Sequence, residues 1–354
     1  MGFHRAVGAT SSTGLCRMRA ALPFVLLPLL ALSALLGLAV GSTSVPWGDV
    51  VAALWSDDGS LSARIVREVR LPAIVLALGA GALLGAAGAV VQGLLRNPLA
   101  DPYLLGVSGG AGLGTAVSVA AGVPPWLGSG GHLLAAVVGA GLAVALIERI
   151  GSAFGTRASG PHTLLLAGVI LNAFAGALLL VTHLFVDPAR SQQLLFLLMG
   201  NVDPSRVSAA QTTIALSVGG LAVAGSWLAG PLLDALTFGD EHARAIGLHP
   251  IRSRRLLLGL LALLTGSAVA LAGLLGFVGL VVPHLVRPLT GARHRDVILG
   301  STLAGACFVV LADAVSRSAF AALGTSLPTG AVTALAGAPF FLALLVFSTR
   351  RAPQ

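Results

Sequence analysis

The chain has 354 residues, of which 56% are hydrophobic and only 10% charged, against roughly a quarter charged in soluble domains. With a mean hydropathy of +0.94 and apolar runs recurring from Ala21 to Phe347 without a long polar interval, these proportions exclude a water-soluble domain. The net charge of +8 comes from 21 arginines, no lysine and 13 acids; in a polytopic protein such residues gather on one side of the bilayer rather than on nucleic acid.

Arg5, Arg17 and Arg19 precede the first apolar run, over 20–40. That run exceeds the 7–15 residues of a signal-peptide core, and further apolar segments follow, so it reads as an uncleaved first helix. At about 20 residues per crossing, the apolar pattern predicts ten membrane helices over 21–40, 71–94, 104–121, 132–150, 162–185, 207–229, 254–274, 277–289, 297–316 and 329–348. The chain is therefore expected to be an all-α polytopic membrane protein with one transmembrane domain over 1–354. An N-terminus inside leaves only Arg64, Arg67, Arg70, Arg190, Arg206 and Arg317 of the 21 arginines outside. Both termini, the tail 1–20 and the loop 231–255 are thus expected on the cytoplasmic side.

Three interruptions exceed a turn. Residues 41–69 read as an external loop closed by an amphipathic piece over Leu61 to Val69, and 187–206 as an outer segment whose apolar stretch, Leu194 to Met199, is too short to span. The third, 231–255, is charged and contains His242 and His249. Within it Asp240 and Glu241 follow Gly239 where a helix starts, and Gly247 stands where one stops. The resulting short helix reads either as a solvated connector or as a partner-binding element that offers Phe238, Ala243 and Ile246 as knobs. Glycines at three- and four-residue spacing, such as Gly79, Gly81, Gly85 and Gly88, predict close helix packing in lipid. Arg70 to Pro98 and Arg255 to His284 echo one another, each running from arginine through a glycine-dotted helix to a proline break.

The residues for catalysis are missing from the sequence. HExxH, a nucleophile elbow and paired carboxylates are absent, the eight histidines are scattered, and a P-loop cannot exist without lysine. Cys16 and Cys307 do not suggest a disulfide framework. Neither a catalytic residue nor a metal site is expected, and any nucleotide energy must be released in another subunit. Asp313, the costliest charge in the apolar runs, reads as the partner of Arg317 one turn on.

The ordered stretches Arg70 to Pro72, Gln92 to Pro102 (QGLLRNPLADP), Leu105 to Gly112, Leu164 to Val169, Gly239 to Gly247 (GDEHARAIG), Gly276 to Arg287 (GFVGLVVPHLVR), Ala312 to Arg317 and Leu327 to Phe340 (LPTGAVTALAGAPF) together resemble the FecCD-type permeases, the membrane subunits of ABC importers for vitamin B12, haem and ferric siderophores. The resemblance covers about Arg70 to Phe347. It implies a type II importer fold in the bacterial cytoplasmic membrane, working as a homodimer or with a close homologue. Two ATP-binding subunits would dock below, and a periplasmic or lipid-anchored binding protein above. This chain would bind no cofactor of its own, since ATP and magnesium belong to the partner subunit. By position in the family pattern, the ATPase-coupling helix would use Gly239, Asp240, Glu241, Ala243, Arg244 and Gly247. Arg70 and Arg317, helped by Arg67, would meet the binding protein, although Ala73 replaces the second arginine of the Arg-Leu-Pro-Arg motif. The cytoplasmic gate would lie at Asn97, Leu99, Pro161 and His162, where histidine replaces the usual small polar residue. The alternative is a stand-alone secondary transporter coupled to ions through Asp313, Glu148 or Asp101.

Overall fold

A computed structural model describes residues 9–43, 45–56, 59–123, 125–153 and 161–349. Their regular structure is helical, with no strand among the described residues. Ten principal helices follow the apolar runs: α1 Ala9–Ala39, α2 Leu71–Leu95, α3 Val107–Ala121, α4 Gly131–Ala153, α5 Pro161–Leu184, α6 Ala209–Leu228, α7 Pro250–Ala272, α8 Val278–Thr290, α9 His294–Ser318 and α10 Thr329–Thr349. Among the described residues, six helical bodies are long and apolar enough to cross a membrane, and four shorter apolar helices accompany them.

The core is built around α2, which packs along α9, α7 and α8. Its glycines are the reason. A Cβ on Gly81 would stand 2.2 Å from the Gly305 carbonyl oxygen of α9, and one on Gly85 would stand 2.0 Å from that of Ser301. These backbones touch where any side chain would hold them apart. The α3–α4 pair repeats the device, with Gly110 and Gly114 against Gly139 and Ala135, so the glycines of α3 serve packing within the subunit.

Shorter helices fill the interruptions. Residues 41–60, expected as loop, contain the helix Trp47–Trp55, which starts after Pro46 and tucks Val50 and Ala53 inward. The amphipathic piece is Leu61–Arg64, continued through a π-helical turn, Ile65–Arg70, directly into α2. The outer helix runs Pro188–Met199, beginning six residues ahead of its apolar stretch because proline is suited to a first helical position. The echo between Arg70 to Pro98 and Arg255 to His284 does not extend to geometry. The first stretch is a continuous helix to Leu95, whereas the second breaks between Ala272 and Val278, with Gly273 and Phe277 at φ 69° and 66°.

Candidate functional site

The charged segment between α6 and α7 folds as two short helices, Gly230–Thr237 and Asp240–Ala245. Gly239, at φ 111°, provides the corner between them, and Gly247, at φ 83°, ends the second in a left-handed conformation that glycine tolerates best. There the Gly247 and Leu248 amides donate to the Arg244 and Ala243 carbonyls at 2.9 Å. Asp240 and Glu241 occupy the first turn, as the sequence indicates. One expectation needs correction: Ala243 is 0% exposed and faces the chain's own core, so it is not a knob. The outward apolar side chains are Phe238, 76% exposed, and Ile246, 55% exposed, with the His242 ring tilted against Phe238 at 5.3 Å. Glu241 and Arg244 are exposed beside them.

Asp240 joins this helix to its neighbours. Its Oδ1 accepts from Arg254 of α7 at 2.6 Å and from Arg96, just past α2, at 3.4 Å. Asp234, on the preceding short helix, accepts from the backbone N–H of His294 at 3.0 Å and from its Nδ1 at 2.6 Å. A carboxylate can only accept, so Nδ1 carries the proton. Sequence reasoning missed both links, because their partners lie 14 to 144 positions apart. The charges of the segment were the only available signal.

The helix break expected near Asn97 is present. α2 ends at Leu95, Arg96 turns left-handed at φ 49°, and the Asn97 Oδ1 accepts the Leu99 amide at 2.9 Å. The turn is anchored further on by Asp101, a buried side chain whose Oδ1 accepts the Tyr103 amide at 2.6 Å. Leu99 is exposed. α5 approaches this turn at Gly168, packed on Leu104 and Leu105. Pro161 and His162 open α5, but their side chains lie outside the described residues.

At the opposite end the arginines expected to face a docking protein turn inward. Arg70 is 2% exposed and donates to the carbonyl oxygens of Leu38, Ala39 and Thr43. Arg317 donates to the Gly37 carbonyl at 3.1 Å and pairs with Asp313 at 2.8 Å, the pairing anticipated from their spacing. The terminal carbonyls of α1 have no intrahelical partners, and the two guanidinium groups supply donors to them. Arg67 is half-buried and donates to the Ala53 carbonyl of the Trp47–Trp55 helix.

The acids on which an ion-coupled reading rests are engaged within the chain. Asp313 holds Arg317, Glu148 lies 3.5 Å from Arg255, and Asp101 accepts from backbone. Among the described residues no group of three His, Cys, Asp or Glu side chains could hold a metal ion.

The model of the FecCD transport family matches residues 29–347. The cobalamin import system permease protein BtuC of Halobacterium salinarum is 40% identical over 282 residues, 79% of this chain and 73% of that protein. The hemin transport system permease protein HmuU of Yersinia pestis is 35% identical over 284 residues, 79% of this chain and 82% of that protein. Among solved structures, an inward-facing metal-chelate type ABC transporter matches with a TM-score of 0.76 at 27% identity, covering 93% of this chain and 99% of that one.

Proposed function

The chain belongs to the FecCD transport family, the membrane permease subunits of ABC importers, and from that premise we propose that it moves an iron chelate (ferric siderophore or haem) or cobalamin into the cytoplasm, driven by ATP hydrolysis in a separate subunit. The observation that carries this reading is the short helix between Gly239 and Gly247. It presents Phe238 and Ile246 outward and is tied by Asp240 to α2 and α7, in a chain that has no lysine for a P-loop. An ATP-binding subunit docks there, and Gly239, Asp240, Glu241, Arg244 and Gly247 shape the contact, with Ala243 as its buried floor.

The bundle has an uncovered face. α5 exposes Leu166, Ile170, Phe174, Leu180 and Leu184, and a second copy or close homologue covers this face, leaving a wide path between the subunits. Asn97 and Leu99, with Pro161 and His162 at the start of α5, form the inner gate of that path. The binding protein docks at the opposite end. Arg70 and Arg317 act there by holding α1 in place, which leaves direct contact to the neighbouring Arg67 and the exposed Arg64. With the coupling helix facing the cytoplasm, both termini are cytoplasmic in the bacterial inner membrane, consistent with the arginine bias.

The test is ATPase activity and uptake by the complete complex in liposomes, with cyanocobalamin, haemin and ferric siderophores tried as cargo. Binding-protein-stimulated hydrolysis that fails after Phe238→Ala with Ile246→Ala is the expected result. Uptake by this chain alone, driven by an ion gradient, overturns the reading.

A further inference from the structure

The two short helices at 230–245 grip the end of α2 at two separate points. At the first, a Cβ on Gly93 would lie 2.7 Å from the Cδ2 and Nε2 of His294 and 3.3 Å from Leu233, so the imidazole and the short helix both lie directly on α2 backbone. Asp234 fixes that imidazole through its Nδ1 and, with the same oxygen, accepts from the His294 amide at the start of α9. The ring is almost fully buried. At the second point Asp240 reaches Arg96, the left-handed residue that turns α2 into Asn97 and Pro98. Arg96 lies three positions after Gly93, so both grips fall on one helical turn, immediately before the gate turn.

We propose that Asp234, His294 and Gly93, together with the Asp240–Arg96 pair, are positioning residues that join the coupling helix to the last turn of α2, so that displacement of the coupling helix moves the Arg96–Asn97–Pro98 turn as one piece with it. This rests on the coupling-helix reading above and names the residues through which it reaches the gate. Buried contacts carry the push at Gly93, because packed side chains have little room to yield. The half-exposed Arg96–Asp240 pair fixes direction more than strength.

Hydrogen–deuterium exchange of the complex purified with its ATP-binding subunit tests this, read over 239–247 and over 96–105, with and without ATP and vanadate. In the native sequence the ATP-binding subunit protects 239–247, and ATP with vanadate changes exchange over 96–105. Asp234→Ala and Gly93→Ala keep the first effect and lose the second. Asp234→Asn, which retains an oxygen acceptor, restores it, a rescue that loss of folding would not give. Arg96→Ala removes no buried group and weakens the second effect in a chain that stays folded. A response over 96–105 that matches the native sequence in all of these variants overturns the proposal and leaves the coupling reading intact. Lack of protection over 239–247 in the native complex overturns both.

Discussion

The helical bodies containing α2 and α5 have the same mean hydropathy, 2.3, yet in an 18-residue apolar stretch of each, 83% of the first and 22% of the second is buried within the subunit. Apolarity alone reports that each helix can live in lipid. What distinguishes them is the placement of small residues. Gly81, Gly85 and Gly88 of α2 meet neighbouring backbones at distances no Cβ could occupy, whereas α5 makes one such approach, Gly168 on Leu104 and Leu105, and its Gly176 meets open space. In lipid, where tails solvate leucine as well as another helix does, close backbone approach decides which helices associate. α2 is thus the fixed axis of the subunit, and α5 is the face that the proposed dimer would cover.

The largest expected effect breaks that contrast at its strongest point. Gly85→Leu forces α2 and α9 apart and destabilises the subunit by about 3 kcal/mol or more, seen as loss of a monodisperse species in detergent. Gly176→Leu leaves subunit stability unchanged. Next, Arg70→Ala removes the donors to the last two carbonyl oxygens of α1, Leu38 and Ala39, and to that of Thr43 beyond it, and lowers stability by about 2 to 3 kcal/mol, measured by thermal unfolding. A purely docking role would instead leave the unfolding temperature unaltered.

The short helix Asp240–Ala245 offers a smaller contrast of the same kind. Ala243→Trp overfills a buried position and costs about 1 to 3 kcal/mol, while Phe238→Ala and Ile246→Ala change stability by no more than about 0.5 kcal/mol and act on ATPase coupling. Smallest is Arg96→Ala, whose half-exposed pair contributes less than about 1 kcal/mol and is weakened by salt. Its stability effect fades as ionic strength rises.

Much of this was legible in the sequence. Helix number and order follow from the apolar runs, the short helix Asp240–Ala245 from two glycines around Asp240 and Glu241, and the Asp313–Arg317 pair from four-residue spacing. What escaped was orientation. An arginine at a helix end can face solvent or fold back onto an uncapped neighbour, and only the position of α1 decides for Arg70. Ala243 is similar, since one small residue on a six-residue helix carries no periodicity. The Trp47–Trp55 helix was hidden because Pro46 and the run Asp57, Asp58 and Gly59 read as loop punctuation, although proline before a helix and an acid in its first turn, here Asp49, are both starting signals. The His294–Asp234 contact spans 60 positions and leaves no local trace.

The uncovered face of α5 is where the account is most exposed to contradiction. Native mass measurement of the detergent-purified complex with its ATP-binding subunit tests it directly. Two membrane subunits, either two copies of this chain or one copy with a close homologue, per two ATP-binding subunits is the expected result. An assembly with a single membrane subunit that still transports in vesicles would contradict this.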